Sequence, residues 1–327
     1  MAKYKVMYTD TELPDISIEA EVLSKIGAEV VMPRSMKGAD LVECGKGCDG
    51  IMVDYAPMPK SVIDQFDKCK VISRQGIGYN NVDVEAASAK GIMVANCPDY
   101  CQDEVADHTF ALLLTCARRT AAFDAAVRKG IWGVKVLGPM YRLRGQVFAL
   151  YGFGSIAKKV AVRAAAFGFH VAAFDPYMPD SVFSEAGVKK VDSLEELASI
   201  ADVFSIHAPV TIHTQGTVNM SILRKMKPTC ILINTSRGPL INEEDLAEAL
   251  EKRMIAMAGL DVLVDEPPAP DNKLLGLENV ILTPHVSFYT EESEVELRTR
   301  IAEEVVNTLI DGHPQLKSFV NRKDFGY

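Results

Sequence analysis

Residues Val147-Phe148-Ala149-Leu150-Tyr151-Gly152-Phe153-Gly154-Ser155-Ile156-Ala157 decide the fold. An apolar strand runs into the pattern G-x-G-x-x-A, which opens a helix over Ser155–Phe167. The next strand, His170–Phe174, ends at Asp175, 18 residues beyond Ala157. Glycines alone often mark plain turns, but strand, turn, helix, strand and acid in this order predict a dinucleotide site. Gly152 lets the strand turn sharply, Gly154 lets backbone approach a pyrophosphate, and Ala157 lets the helix pack close to the strand. The helix start offers unpaired amides and a positive dipole end to the phosphates. Asp175 accepts from both ribose hydroxyls and repels a 2′-phosphate, so NAD is expected over NADP.

Outward from this turn, the chain alternates strands and helices in both directions. Upstream, Lys3–Tyr8, Glu29–Met32, Gly50–Val53, Val71–Arg74 and Ile92–Ala95 read as strands, separated by helices at Asp15–Lys25, Ser61–Phe66 and Asp83–Lys90. Downstream, strands are expected at Val203–His207, Cys230–Asn234, Ala256–Asp261 and Val280–Thr283, with helices at Asn219–Met226 and Glu243–Arg253. Ser193 and Glu196 form a plausible capping box for Leu194–Ser199. Between the blocks, Asp103–Lys129 reads as one long helix with an apolar stripe. Gly130–Gly145, with four glycines and the single tryptophan, Trp132, reads as an irregular arm. A last helix near Thr290–Asp311 would return the chain to the first block, where Gln315–Val320 would add a strand.

The fold class expected is α/β: two Rossmann-like, doubly wound parallel-sheet domains with an active-site cleft between them. The 327 residues exceed what one core usually serves. Residues 1–99 and 298–327 would form a discontinuous substrate domain, and 100–297 the NAD-binding domain.

Composition excludes other classes. Hydrophobic residues make up 48% and charged residues 24%, which is globular rather than disordered. No apolar run approaches the ~18 residues of a membrane span. With 35 basic against 44 acidic residues and a net charge of −9, neither a nucleic-acid nor a membrane partner is expected. Seven cysteines without a CxxC pair point to free thiols and no metal site. With no apolar block at MAKYKVMYTD, the expected location is cytoplasmic.

Three charged groups follow successive downstream strands: Arg237, Glu266 and His285. The carboxyl ends of strands are where open α/β sheets carry their sites. Around them stand the runs Arg74-Gln-Gly-Ile-Gly-Tyr-Asn-Asn-Val-Asp83, Asn234-Thr-Ser-Arg-Gly-Pro-Leu-Ile-Asn242, Gly259-Leu-Asp-Val262, Glu266-Pro267 and Thr283-Pro-His285. With the glycine turn, these resemble the D-isomer-specific 2-hydroxyacid dehydrogenases over nearly the whole chain. Asn96-Cys-Pro-Asp-Tyr100 and Asp103-Glu-Val-Ala-Asp107 look most like the branch that includes the C-terminal-binding proteins.

The resemblance implies NAD-dependent interconversion of a small D-2-hydroxy acid and its 2-oxo partner. His285 would move the proton on the substrate oxygen, with Glu266 orienting the ring and stabilising the imidazolium. Arg237 would grip the carboxylate in a two-bond fork. The amides of Ile77 and Gly78 would add a second carboxylate contact. Arg74 would add charge or be a strand-end surface cation. Tyr100 would reach the substrate or simply pack, and Phe288 would wall the pocket. By position, Ser155 and Ile156 would meet the pyrophosphate, His207 and Pro209 the adenosine, Thr235 the cofactor and Asp261 the nicotinamide carboxamide. His108, His170, His213 and His313 read as structural or surface residues. The family usually forms homodimers, and the arm and preceding helix are the expected contact. Two alternatives stay open: an NAD(H)-sensing, corepressor-like scaffold and a phosphoglycerate-type dehydrogenase. Asp54–Pro59 holds no Lys or Arg, which disfavours the second, although Lys60 and Arg74 remain.

Overall fold

The computed structural model describes residues 2–11 and 15–327. The chain divides into two compact units, the first running to Tyr100 and resuming at Thr290–Tyr327, the second spanning Cys101–Tyr289.

The first unit holds five parallel strands: β1 (Tyr4–Tyr8), β2 (Ala28–Val31), β3 (Gly50–Val53), β4 (Val71–Arg74) and β5 (Met93–Ala95), in the order β2-β1-β3-β4-β5. β3 is buried along its whole length, as a central parallel strand covered on both faces should be. Helices Ser17–Ser24, Gly38–Gly45, Lys60–Ile63 and Val84–Ala89 make the crossovers. Asp83 caps the last of these, accepting from the Ala86 amide at 2.9 Å. Gly38–Gly45 escaped the sequence reading because glycine occupies both its ends. The helix Glu291–Asp311 packs on Ser17–Ser24. A buried fork joins them: Arg298 donates through Nε and Nη2 to the two oxygens of Glu19, both at 2.8 Å. The second domain boundary expected at 297/298 therefore falls inside a helix that belongs wholly to the first unit. The tail makes an antiparallel bridge, Ala95 to Phe319, rather than a full strand.

The second unit holds seven parallel strands: β6 (Val147–Tyr151), β7 (His170–Phe174), β8 (Lys189–Lys190), β9 (Val203–Ile206), β10 (Ile231–Asn234), β11 (Met257–Leu260) and β12 (Val280–Leu282). Their order is β12-β11-β10-β9-β6-β7-β8. The order reverses between β6 and β9, and ligands of such sheets bind outside the carboxyl ends at that point. The expected single helix over 103–129 is two, Gln102–Arg118 and Thr120–Arg128. They part at Arg119, whose φ of 52° is left-handed. The first buries Phe110, Leu112, Leu113 and Cys116 against Phe148, Leu150 and Val160. Residues 130–145 form no regular element and leave Trp132 87% exposed. Among the described residues, no helix is long and apolar enough to cross a membrane.

Candidate active site

The glycine turn sits where the second sheet reverses. Gly152 has a φ of 92°, and a Cβ there would lie 2.7 Å from the Ala208 nitrogen and the His207 carbonyl carbon. Any side chain would push β6 and β9 apart. A Cβ on Gly154 would meet no atom within 4 Å, so open space lies before the helix Ser155–Ala166. No side chain caps that helix at Gly154, which leaves its first amides for an outside acceptor. Ser155 is exposed and Ile156 half-buried at this mouth. Asp175 accepts from the Phe153 amide at 2.9 Å through one oxygen and from the Tyr177 amide at 3.0 Å through the other. The carboxylate thus ties the end of β7 to the turn and keeps further lone pairs for a ligand. These residues fit a bound dinucleotide.

His207 ends the strand next door. Its Nε2 lies 2.8 Å from Ser205 Oγ, and burial depresses its pKa to about 3. The residue as a whole is half-buried. Pro209 is exposed, its carbonyl taking the Thr214 hydroxyl at 2.6 Å. Thr235 turns inward, 2.9 Å from the hydroxyl of Thr109.

The three charged residues come together through loops after β10, β11 and β12. His285 Nδ1 meets Glu266 Oε2 at 2.7 Å, and Glu266 Oε1 accepts from the Leu263 amide at 3.0 Å. Burial pushes the Glu266 carboxyl up. The hydrogen bond and charge of His285, the Leu263 amide and the charge of Arg237 outweigh it and hold the group below the usual glutamate range. Arg237 leans on its own loop, donating to the Ser236 carbonyl at 2.6 Å. Gly238 then presses against the chain at Leu263, where a Cβ would lie 2.0 Å from the carbonyl. The ring of Phe288 stands edge-on to His285, with centroids 6.4 Å apart.

His285 has a φ of 55°, which non-glycine residues seldom adopt. Asp261 holds the loop in that shape. Its main-chain oxygen accepts from the His285 amide, and its carboxylate from Val286, Ser287 and the Thr283 hydroxyl. Asp261 is 1% exposed, so its carboxylate lies beneath the loop. His108, which the sequence reads as structural or surface, also reaches this point, with Nε2 2.9 Å from the Thr283 hydroxyl. The available signal was its place beside Val105, Thr109 and Leu112 on the buried stripe of its helix.

In the first unit, β4 leads into Arg74–Gly78. The amides of Ile77 and Gly78 donate to no group among the described residues. Their segment is held from behind by Asn96, which donates to the Ile77 carbonyl at 2.7 Å, and by the Cys97 amide, which donates to Gly76. The Nε of Arg74 is buried without a hydrogen-bond partner among the described residues. Tyr100 is buried at the end of this unit. Lys60 is 3.0 Å from Asp64.

Residues 110–287 match the model of the D-isomer specific 2-hydroxyacid dehydrogenase, NAD binding domain. The chain belongs to that family. A D-3-phosphoglycerate dehydrogenase of Methanocaldococcus jannaschii is 37% identical over 306 residues, 93% of this chain but 57% of that protein. This member of the family thus spans little more than half the length of the phosphoglycerate dehydrogenases it matches. A hydroxypyruvate reductase of Thermotoga maritima is 34% identical over 94% of this chain and 99% of its own. Among solved structures, the D-lactate dehydrogenase of Aquifex aeolicus, complexed with NAD and lactic acid, superposes with a TM-score of 0.85. It is 27% identical, covering 96% of this chain and 98% of that one.

Proposed function

We propose that this chain is an NAD(H)-dependent oxidoreductase that interconverts a small, unphosphorylated D-2-hydroxy acid and its 2-oxo acid. The observation that carries this reading is the His285–Glu266 pair, 2.7 Å apart, with the charge of Arg237 upon it. A dinucleotide held by its pyrophosphate at the glycine turn would supply or accept the hydride. The chain's own residues do the rest. Arg237 binds the substrate carboxylate; in the first unit, the amides of Ile77 and Gly78 and the charge of Arg74 suit an anionic group. His285 holds a proton for the carbonyl oxygen in reduction and takes it back in oxidation. Glu266 keeps the ring turned and balances the imidazolium. Ser155, Ile156 and Asp175 hold the dinucleotide, and His207 and Pro209 border it. Phe288 supplies an apolar wall.

Asp54–Pro59 holds no Lys or Arg, which favours an unphosphorylated substrate, although Arg74 stands as a cation at the end of β4. Lys60 is engaged with Asp64, and Asp54 closes β3 where a cation would be needed. We also infer a homodimer formed through the exposed arm.

The test is NADH oxidation with pyruvate, hydroxypyruvate and 3-phosphohydroxypyruvate. Turnover is expected, fastest with an unphosphorylated acid. His285→Ala should lower it by ~10²–10⁴-fold while NADH binding persists. Near-normal kcat in that variant removes His285 from the mechanism. A higher kcat/KM for the phosphorylated acid overturns the substrate reading and leaves the reaction class standing.

A further inference from the structure

Nε2 of His108, on the helix Gln102–Arg118, lies 2.9 Å from Oγ1 of Thr283. Thr283 gives its only hydroxyl proton to Asp261 Oδ1 at 2.6 Å. A hydroxyl that has donated can only accept, so the proton between His108 and Thr283 sits on Nε2. The same nitrogen is 3.5 Å from Asp261 Oδ1, and the nearby negative charge favours that tautomer. Donation therefore runs one way, from His108 to Thr283 to the buried Asp261 carboxylate. Each bond polarises the next in such a chain.

Everything on the far side of that carboxylate serves His285. The Val286 and Ser287 amides reach its two oxygens at 3.0 Å each. The His285 amide reaches the Asp261 carbonyl at 2.8 Å. Three successive residues thus hang from one aspartate, and the first is left-handed. A non-glycine residue keeps that conformation only where its surroundings over-determine it.

We propose that His108 is a positioning residue for His285. By donating through Thr283 it fixes the Asp261 carboxylate, and with it the 285–287 turn that aims the imidazole at Glu266. The inference rests on the reading of His285 as the acid–base group.

The experiment compares His108→Ala, His108→Gln and Thr283→Val with the wild type. Glutamine keeps an N–H donor of similar reach; valine keeps the shape of threonine and removes its hydroxyl. His108→Ala and Thr283→Val should lower kcat by about 10–100-fold, the scale of a misplaced catalytic group. KM for the 2-oxo acid and the NADH dissociation constant, read by fluorescence, should stay within about threefold. His108→Gln should restore most of kcat. Three results overturn the proposal: a wild-type kcat in His108→Ala or Thr283→Val, a glutamine variant as slow as the alanine one, or a fall in kcat that comes with a raised KM, weaker NADH binding and a lower melting temperature. Should the alanine variant not fold, the other two decide in the same way. An active His285→Ala sinks the acid–base reading beneath it. A dead His285→Ala beside an active His108→Ala sinks this proposal alone.

Discussion

Arg237, Glu266 and His285 are legible as candidates because each follows a strand, and strand ends recur at known intervals in an alternating chain. What the sequence does not show is how each side chain is aimed. The left-handed backbone of His285 and the burial of Asp261 depend on hydrogen bonds that close across β11 and β12. His207 adds a measurable consequence. Burial holds its pKa at about 3, below the ordinary 6.5, so the folded site keeps the neutral ring. Its contribution to stability is complete above pH 6.5. As pH falls from there towards 3, the unfolded chain binds a proton that the folded site refuses. Stability should then drop by up to ~1.4 kcal/mol per pH unit. In His207→Asn the fall in melting temperature between pH 7 and pH 5 should be shallower than in the wild type, by calorimetry. Parallel slopes would show that the ring protonates freely in the fold.

At the scale of elements, segments bounded by clear turn signals read correctly, while two short helices, one two-residue strand and one helix break did not. The strands at Val147–Tyr151 and Ile231–Asn234 are apolar runs bounded by turns, and they stand where the sequence places them. Helix Asp180–Glu185 and β8 are too brief to carry a period. The break at Arg119 depends on one left-handed residue whose guanidinium donates to the Leu137 carbonyl at 2.5 Å, a partner 18 residues away. Ser193 does accept from the Glu196 amide, but Glu196 returns to the amide of Asp192 instead of Ser193, so the capping box is half formed. The strand–turn–helix unit around Gly152 carries its own prediction. Asp175 bonds to the Phe153 amide and projects at the end of β7, where a 2′-phosphate would meet a negative charge. The wild type should favour NADH over NADPH in kcat/KM by tenfold or more. Asp175→Ala should narrow that ratio, mainly through the KM for NADPH. A wild type that prefers NADPH removes Asp175 from cofactor choice.

At the scale of the molecule, two parallel sheets were legible because strands and helices alternate on both sides of residues 100–145. The second boundary was not, because an amphipathic helix gives no sign of which core it will join; Arg298 and Glu19 settle that for Glu291–Asp311. The arm also carries a consequence. Ile131, Trp132 and Val134 are 47%, 87% and 84% exposed, with Tyr141 at 57%, in a stretch with no helix or strand. Single apolar residues are common on surfaces, but a run of exposed apolar residues around a tryptophan is the kind of patch that marks interaction sites. Tryptophan and its apolar neighbours supply much of the energy in such contacts, concentrated in a few side chains. The proposed homodimer rests on this patch. Light scattering behind size exclusion should give twice the chain mass for the wild type at micromolar concentration. Trp132→Ser with Val134→Ser should shift it towards one chain mass. Far-UV circular dichroism should not change, because neither residue belongs to a regular element. If the wild type runs as a monomer, the arm has some other partner. If the double variant stays dimeric, the contact lies elsewhere on the surface.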